Sequence, residues 1–205
     1  MREIIYFSNK ARTSGNFDTS ELMGAGRMDI AIHVLINAFF LSHKLRQDTK
    51  LHLIFNGPPN PPMHLELFPG KVIPETGKQA GSDSPDISKK DVANLIKKML
   101  YKCKKDGKNE VWTGYSIEKK SLFKVIDELI REEKQIYILD EKGEDIRKVK
   151  FADNPVFVLA DQEGFPKKEL RKLKSLGTSI SVGKPVYFAS QVVTIVQNEL
   201  DRQGI

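Results

Sequence analysis

A chain of 205 residues with 40% hydrophobic content can bury one sizeable core, which excludes a wholly disordered protein. Thirty-three Lys and Arg against 27 Asp and Glu leave a net charge of +6, favouring a polyanionic partner such as RNA, DNA or an acidic membrane surface. The single cysteine, Cys103, excludes a disulfide framework and a paired-cysteine metal site and suits a reducing cytoplasm. No stretch reaches the roughly 18 apolar residues of a membrane span, and MREIIYFSNKAR is too short in apolar residues for a secretion signal, so a soluble cytoplasmic protein is expected.

In chain order, EIIYF (3–7) predicts a short strand and residues 29–45 a helix. Ile30, Val34, Ala38 and Leu41 keep helical spacing, while Ile32, Leu35, Ile36, Phe39 and Phe40 widen the apolar stripe nearly all round. That helix should be buried, with Phe39 and Phe40 in the core rather than forming a base-stacking platform. KLHLIFN (50–56) reads as a strand closed by the stiff turn NGPPNPP (56–62). Because proline cannot sit in a central ladder, HLELF and KVI, around Gly70, are expected as short edge strands. PETGKQAGSDSP (74–85) has the composition of a loop.

From Ser88 an S-x-x-D capping signature opens a helix with Val92, Leu95, Ile96, Met99, Leu100 and Cys103 on one face and lysines on the other. VWTGYSI (111–117) predicts a strand with a turn, and SLFKVIDELIREE (121–133) a helix leading into QIYILDEKGED. Then come PVFVLADQEGF (155–165), a basic helix at 167–175, TSISV (178–182) and a final helix from about 185 to 202. The runs IYIL, VFVL and SISV are what parallel strands buried on both faces look like, so the C-terminal two-thirds reads as α/β. Ligands of such sheets gather beyond the carboxyl ends of the strands. That places the loops LDEKG, ADQEG and VGKP on one edge.

Several chemistries are missing. There is no phosphate-binding G-x-x-x-x-G-K-[ST], and MGAGRMD matches a dinucleotide fingerprint only in its G-x-G. His33, His43, His52 and His64 lack metal-ligand spacing, so no metal is expected. Ser42 and His43 are adjacent helical residues in this reading and point apart, so they are no dyad; His43 is expected to cap or pack near the helix end.

At the three loops the sequence resembles a known family. YILDEKGEDI, NPVFVLADQEGF and TSISVGKPVYFASQVVTIVQNELD are similar to the C-terminal signature of the SPOUT methyltransferases. GRMDIAIHVLINAFFLSHKLRQD, LIFNGPPNPP, KGED and ISKKDVANLIKKML resemble the archaeal tRNA pseudouridine N1-methyltransferase branch of that family, so the likeness covers essentially the whole chain. It implies a SPOUT-like parallel sheet flanked by helices, with a deep C-terminal trefoil knot. It further implies a single domain whose substrate-binding half spans about 1–110 and whose donor-binding knotted part spans about 130–205.

The same resemblance implies S-adenosylmethionine as cofactor, tRNA as partner and a homodimer, without metal or membrane. The reaction implied is N1-methylation of the T-loop pseudouridine, position 54 in the tRNA convention. Donor contacts fall on Leu139, Gly164, Ser181, Val182, Gly183, Lys184, Pro185 and Val192. Two departures touch this set: Val192 stands where the family often carries cysteine, and Ala160, Asp161 and Gln162 stand where it often has glycine and histidine.

Arg27 and Asp29 admit two readings. Asp29 holds the base edge and receives its proton while Arg27 contacts base or phosphate, or else Asp29 caps the buried helix and Arg27 pairs with it. A resemblance to the ribosomal-RNA pseudouridine N1-methyltransferases, which carry Arg and Asp two apart in their RNA-binding region, favours the first. Lys10, Arg12, Arg27 and the lysines of 89–108 are candidate phosphate contacts. The apolar segments 29–41 and 185–196 are candidate interface. Two alternatives stay open: methylation of ribosomal RNA, and a basic RNA-binding module without catalysis.

Overall fold

The computed structural model describes residues 1–71, 88–104 and 107–205. The strands are β1 (Arg2–Ser8), β2 (Thr49–Phe55), β3 (Met63–Leu67), β4 (Asn109–Trp112), β5 (Tyr115–Glu118), β6 (Gln135–Asp145), β7 (Pro155–Ala160) and β8 (Thr178–Ser181). They form one eight-stranded sheet in the order β4-β5-β3-β2-β1-β7-β6-β8. Strands β2, β1, β7, β6 and β8 are parallel neighbours, whereas β3, β5 and β4 add an antiparallel wing. The sheet is therefore mixed rather than wholly parallel. A parallel connection needs a dozen or so residues to cross over, and the turn between β2 and β3 is too short for that.

Strand β3 is not at an edge, since it pairs with β2 on one side and β5 on the other. The prolines that suggested an edge end at Pro62, one residue before the ladder begins, so no paired amide is missing. The KVI strand beyond Lys71 and the 74–85 loop lie outside the described residues.

Alternation along β1 sends Ile4 and Tyr6 into one core and Ile5 and Phe7 into another. The first core is closed by α1 (Met28–Phe39), α2 (Lys89–Tyr101) and part of α5 (Ala189–Gln203). The second is closed by α3 (Leu122–Arg131) and α4 (Lys167–Leu176). Covered on both faces, the parallel strands read as continuous apolar runs, as expected.

Helix α1 is buried as its wide stripe predicts, with Phe39 2% exposed in the core. It stops at Phe39 rather than at residue 45. Phe40 turns extended and bridges Leu45, while the Leu41 amide donates to the Lys44 carbonyl at 2.9 Å. Arg46 is drawn instead to Asp201 on α5, donating from Nη1 at 2.8 Å. His43 is therefore exposed in a hairpin turn, not packed at a helix end. Helices α1 and α5 pack on each other within the chain, where Gln197 Nε2 donates to the Ala38 carbonyl at 3.0 Å.

Helix α2 begins as its signature predicts: Ser88 Oγ accepts the Asp91 amide at 3.1 Å. Ser88→Ala is expected to lower stability by about 1 kcal/mol, read as a lower urea midpoint at unchanged slope. Helix α5 starts at Ala189, four residues later than expected, because Phe188 stays extended and its amide donates to Gln191 Oε1 at 3.0 Å.

Candidate functional site

The five parallel strands bring their carboxyl ends to one edge, where the predicted residues collect. At the end of β1, Ser8 Oγ donates to Asp161 Oδ2 at 2.7 Å, and the Asn9 amide donates to the same oxygen at 3.2 Å. Ser8 Oγ also accepts the Ala11 amide at 3.1 Å, and Asn9 Nδ2 donates to the Gly164 carbonyl at 3.1 Å. Asp161, met in the sequence only as a departure from a family pattern, thus fastens the loop after β1 to the loop after β7.

Lys10 pairs with Glu163 across these two loops, and Arg12 Nη1 donates to the Asn16 carbonyl at 2.8 Å. Two glycines press on the same loop from outside. A Cβ at Gly26 would lie 1.7 Å from the Lys10 carbonyl oxygen, and one at Gly57 would lie 2.2 Å from it. The chain behind Lys10 is therefore clamped from three sides.

Gly26 and Arg27 are both left-handed, at φ 72° and 63°, and that twist starts α1 at Met28. It also swings the Arg27 side chain over the first turn. Nε donates to Asp29 Oδ1 at 3.0 Å and Nη2 to Oδ2 at 2.9 Å, a bidentate pair. Pairing was foreseen, but Asp29 does not cap the helix, since Arg27 occupies the cap position without a side-chain cap bond. With side chains 35% and 24% exposed, Arg27 and Asp29 remain open to a ligand, and each carboxylate oxygen keeps a lone pair.

Tyr6 lies fully buried nearby, its hydroxyl without a hydrogen-bond partner among the described residues. Burial, then the Asp161 charge, push its pKa up, so the phenol stays protonated. Nothing in EIIYF distinguished it from an ordinary core aromatic.

Beside this corner, β6 does not end at Leu139. Leu139 and Glu144 both register with Ile180 of β8, so residues 140–143 arch around that strand before pairing resumes. Gly143 makes the arch possible, as a Cβ there would fall 2.5 Å from the Ile180 backbone. Asp140 in the arch accepts the Lys142 amide at 2.8 Å and pairs with Lys174. Burial opposes its ionisation, but these bonds hold the carboxyl below its ordinary range.

Ser181 Oγ accepts the Gly183 amide at 3.2 Å and closes the turn after β8. Leu139, Val182 and Val192 pack against the same apolar cluster, and Ser181 and Gly183 flank Val182 in the turn beside it. Lys184 and Pro185 are exposed at its rim, and Gly164 belongs with Asn9 rather than with that turn. Val186 and Phe188 continue the rim as exposed apolar surface, 86% and 72% accessible.

The whole chain, residues 1–205, matches a family model described as "Putative SAM-dependent RNA methyltransferase". It is 34% identical over all of both chains to a tRNA (pseudouridine(54)-N(1))-methyltransferase of Pyrococcus abyssi. It is 33% identical to one of Methanococcus aeolicus over 98% of each chain. A Vibrio vulnificus protein named "Putative pseudouridine methyltransferase" is 32% identical over 96% of this chain and 98% of its own. In three dimensions, Archaeoglobus fulgidus Nep1 bound to S-adenosylhomocysteine superposes with a TM-score of 0.60 over 98% of both chains, at 13% identity, which establishes a shared fold.

Proposed function

The chain belongs to the SAM-dependent RNA methyltransferase family that its whole length matches, and from that premise we propose that it methylates N1 of pseudouridine 54 in tRNA. The observation that carries this reading is the full-length identity of 33–34% to relatives bearing that name. The bidentate Arg27–Asp29 pair at the strand edge supplies a fitting acceptor site.

The acceptor nitrogen carries a hydrogen and must lose it as the new N–C bond forms. In this reading Asp29, fixed by the Arg27 fork, faces that edge and receives the proton, while Arg27 Nη1 remains available to the base or a phosphate. Bound S-adenosylmethionine supplies an electrophilic methyl on a sulfonium and departs as S-adenosylhomocysteine.

The residues present fit that donor. Leu139, Val182 and Val192 offer apolar surface for a flat adenine, and Ser181, Gly183, Lys184 and Pro185 form the turn beside it, whereas the backbone of Gly164 is already bonded to Asn9 and Asp161. Val192 serves this purpose as a cysteine would, because packing rather than sulfur chemistry is required.

Labelled methyl transfer to pseudouridine-containing tRNA and to its uridine-54 counterpart tests the reading. N1-methylpseudouridine from the first substrate alone is the expected product. Donor binding without transfer would redirect the assignment to ribosomal RNA or to a non-catalytic module, and absence of donor binding would end it.

The same reading assigns a trefoil knot to the β6–α5 region of a single domain divided into a substrate-binding half near 1–110 and a donor-binding part near 130–205. The arch of residues 140–143 around Ile180 supports it. It also assigns a cytoplasmic homodimer, for which the exposed Val186 and Phe188 offer apolar surface. No helix among the described residues is long and apolar enough to cross a membrane. Replacing Lys10 and Arg12 together by alanine is expected to weaken tRNA binding and to flatten its log–log salt dependence by about 0.7–0.9 per lost phosphate contact, measured by filter binding.

A further inference from the structure

Far from the Ser8 end of β1, a row of buried polar side chains crosses four strands. Glu3 Oε2 meets His52 Nε2 at 2.8 Å, His52 Nδ1 meets His64 Nε2 at 2.9 Å, and His64 Nδ1 meets Glu118 Oε1 at 3.1 Å. The imidazoles are 2% exposed and their rings lie within 18° of parallel. The sequence concealed this because twelve residues separate the histidines, and only the antiparallel register of β2 and β3 brings them to one face.

The inner pair poses a problem of hydrogen-bond arithmetic. Glu3 and Glu118 are acceptors whose other contacts go to lysines: Glu3 to Lys134 and Lys50, Glu118 to Lys120 at 2.7 Å. If each carboxylate takes the N–H of the neutral ring it faces, the inner nitrogens are left presenting lone pairs to each other. Two lone pairs 2.9 Å apart repel, and the clash is relieved by a proton shared between the rings or by a metal ion that both rings turn to face.

A third group converges on the same point. Glu66 stands opposite His52 in the β2–β3 register, hydrogen-bonds to neither ring, and brings a carboxylate oxygen within 4.8 Å of the imidazole nitrogens. Its other contact is Lys108 at 3.1 Å, on the solvent side.

We propose that His52 Nδ1, His64 Nε2 and Glu66 form a binding site for a zinc-class divalent transition-metal ion. Two imidazoles and a carboxylate are the ligands such an ion prefers, and each imidazole already has a carboxylate on its outer nitrogen, the arrangement that orients metal-bound histidines. With metal–nitrogen bonds of about 2.0–2.1 Å, tetrahedral geometry needs the inner nitrogens a few tenths of an ångström further apart and both rings turned, so that lone pairs now facing each other converge on the ion. Glu66 is partly exposed, so the ion has an entry path and a water can complete the fourth position. The ion ties β3 of the antiparallel wing to β2, at the opposite end of β1 from the methyl-transfer edge, and the proposal does not depend on that reaction.

The test uses the full-length protein, stripped with a chelator and titrated with Zn2+ while Tm is followed, then with Co2+ while visible absorption is recorded. One metal per chain, tetrahedral Co2+ bands and a Zn2+-dependent rise in Tm are expected. Glu66→Gln, which leaves the carboxylate–histidine row whole, should keep the fold and weaken Zn2+ binding at least tenfold, since loss of even a partner behind a ligand typically costs about 10- to 100-fold. Failure to retain metal, with an unchanged Tm and an imidazole nitrogen NMR signature of a proton shared between the rings, would overturn the proposal. An equal response in Glu66→Gln and in His64→Gln to that of the unaltered protein would also overturn it, by placing the metal elsewhere.

Discussion

Asp29→Asn is expected to reduce methyl transfer to pseudouridine-containing tRNA by about 10²- to 10⁴-fold, the usual contribution of a positioned general base, with donor binding unchanged. Asparagine keeps the shape and one oxygen for the Arg27 fork but gives up the charge and the basic lone pairs. The fold should survive, because Asp29 makes no cap bond. Losing a carboxylate from the first turn of a partly exposed helix costs roughly 0.3–1 kcal/mol.

Single-turnover rates of a second variant separate two roles. If Asp29 receives the proton, Arg27→Lys, which abolishes the bidentate geometry but keeps the carboxylate, retains more of the rate than Asp29→Asn. If Asp29 only orients Arg27, the two variants share one defect. A wild-type rate in Asp29→Asn would remove this residue from the chemistry altogether.

Gly26→Ala is expected to destabilise the protein by about 3 kcal/mol or more and to abolish transfer with it. The new Cβ would sit 1.7 Å from the Lys10 carbonyl oxygen and 3.0 Å from the Ala11 nitrogen, at φ 72°. Relaxation is blocked, because the Lys10–Ala11 backbone also bears on Gly57, and Ser8 and Asp161 hold the start of its loop. The Arg27–Asp29 pair follows directly, so any shift of residue 26 moves the acceptor site.

Gly204→Ala serves as the control. It has the same φ of 72°, and beyond its own chain neighbours no atom of the described residues lies within 4 Å of a Cβ there, so it should cost only about 1 kcal/mol, the intrinsic penalty of that conformation. Urea unfolding of both variants measures the difference, and equal effects would show that crowding at Lys10 is not the cause.

Short-range patterns along the chain determined a good deal: the alternation of EIIYF, the apolar runs of β6, β7 and β8, the wide stripe of α1 and the Ser88 cap. Each rests on periodicities or bonds contained within about a dozen residues, so no knowledge of the rest of the chain is needed. The same holds for Arg27 and Asp29, whose bidentate contact needs only a spacing of two and one left-handed residue.

Tertiary structure alone decided the antiparallel wing, the early end of α1 and the arch around Ile180. It decided also that Ser8 meets Asp161 across 153 positions, that His52 meets His64, and that the Tyr6 hydroxyl is stranded beside two carboxylates. The reason is common to all of them. Strand order and register set which distant residues become neighbours, and a side chain's chemistry, whether core packing, ligand or proton acceptor, follows from those neighbours rather than from its place in the sequence.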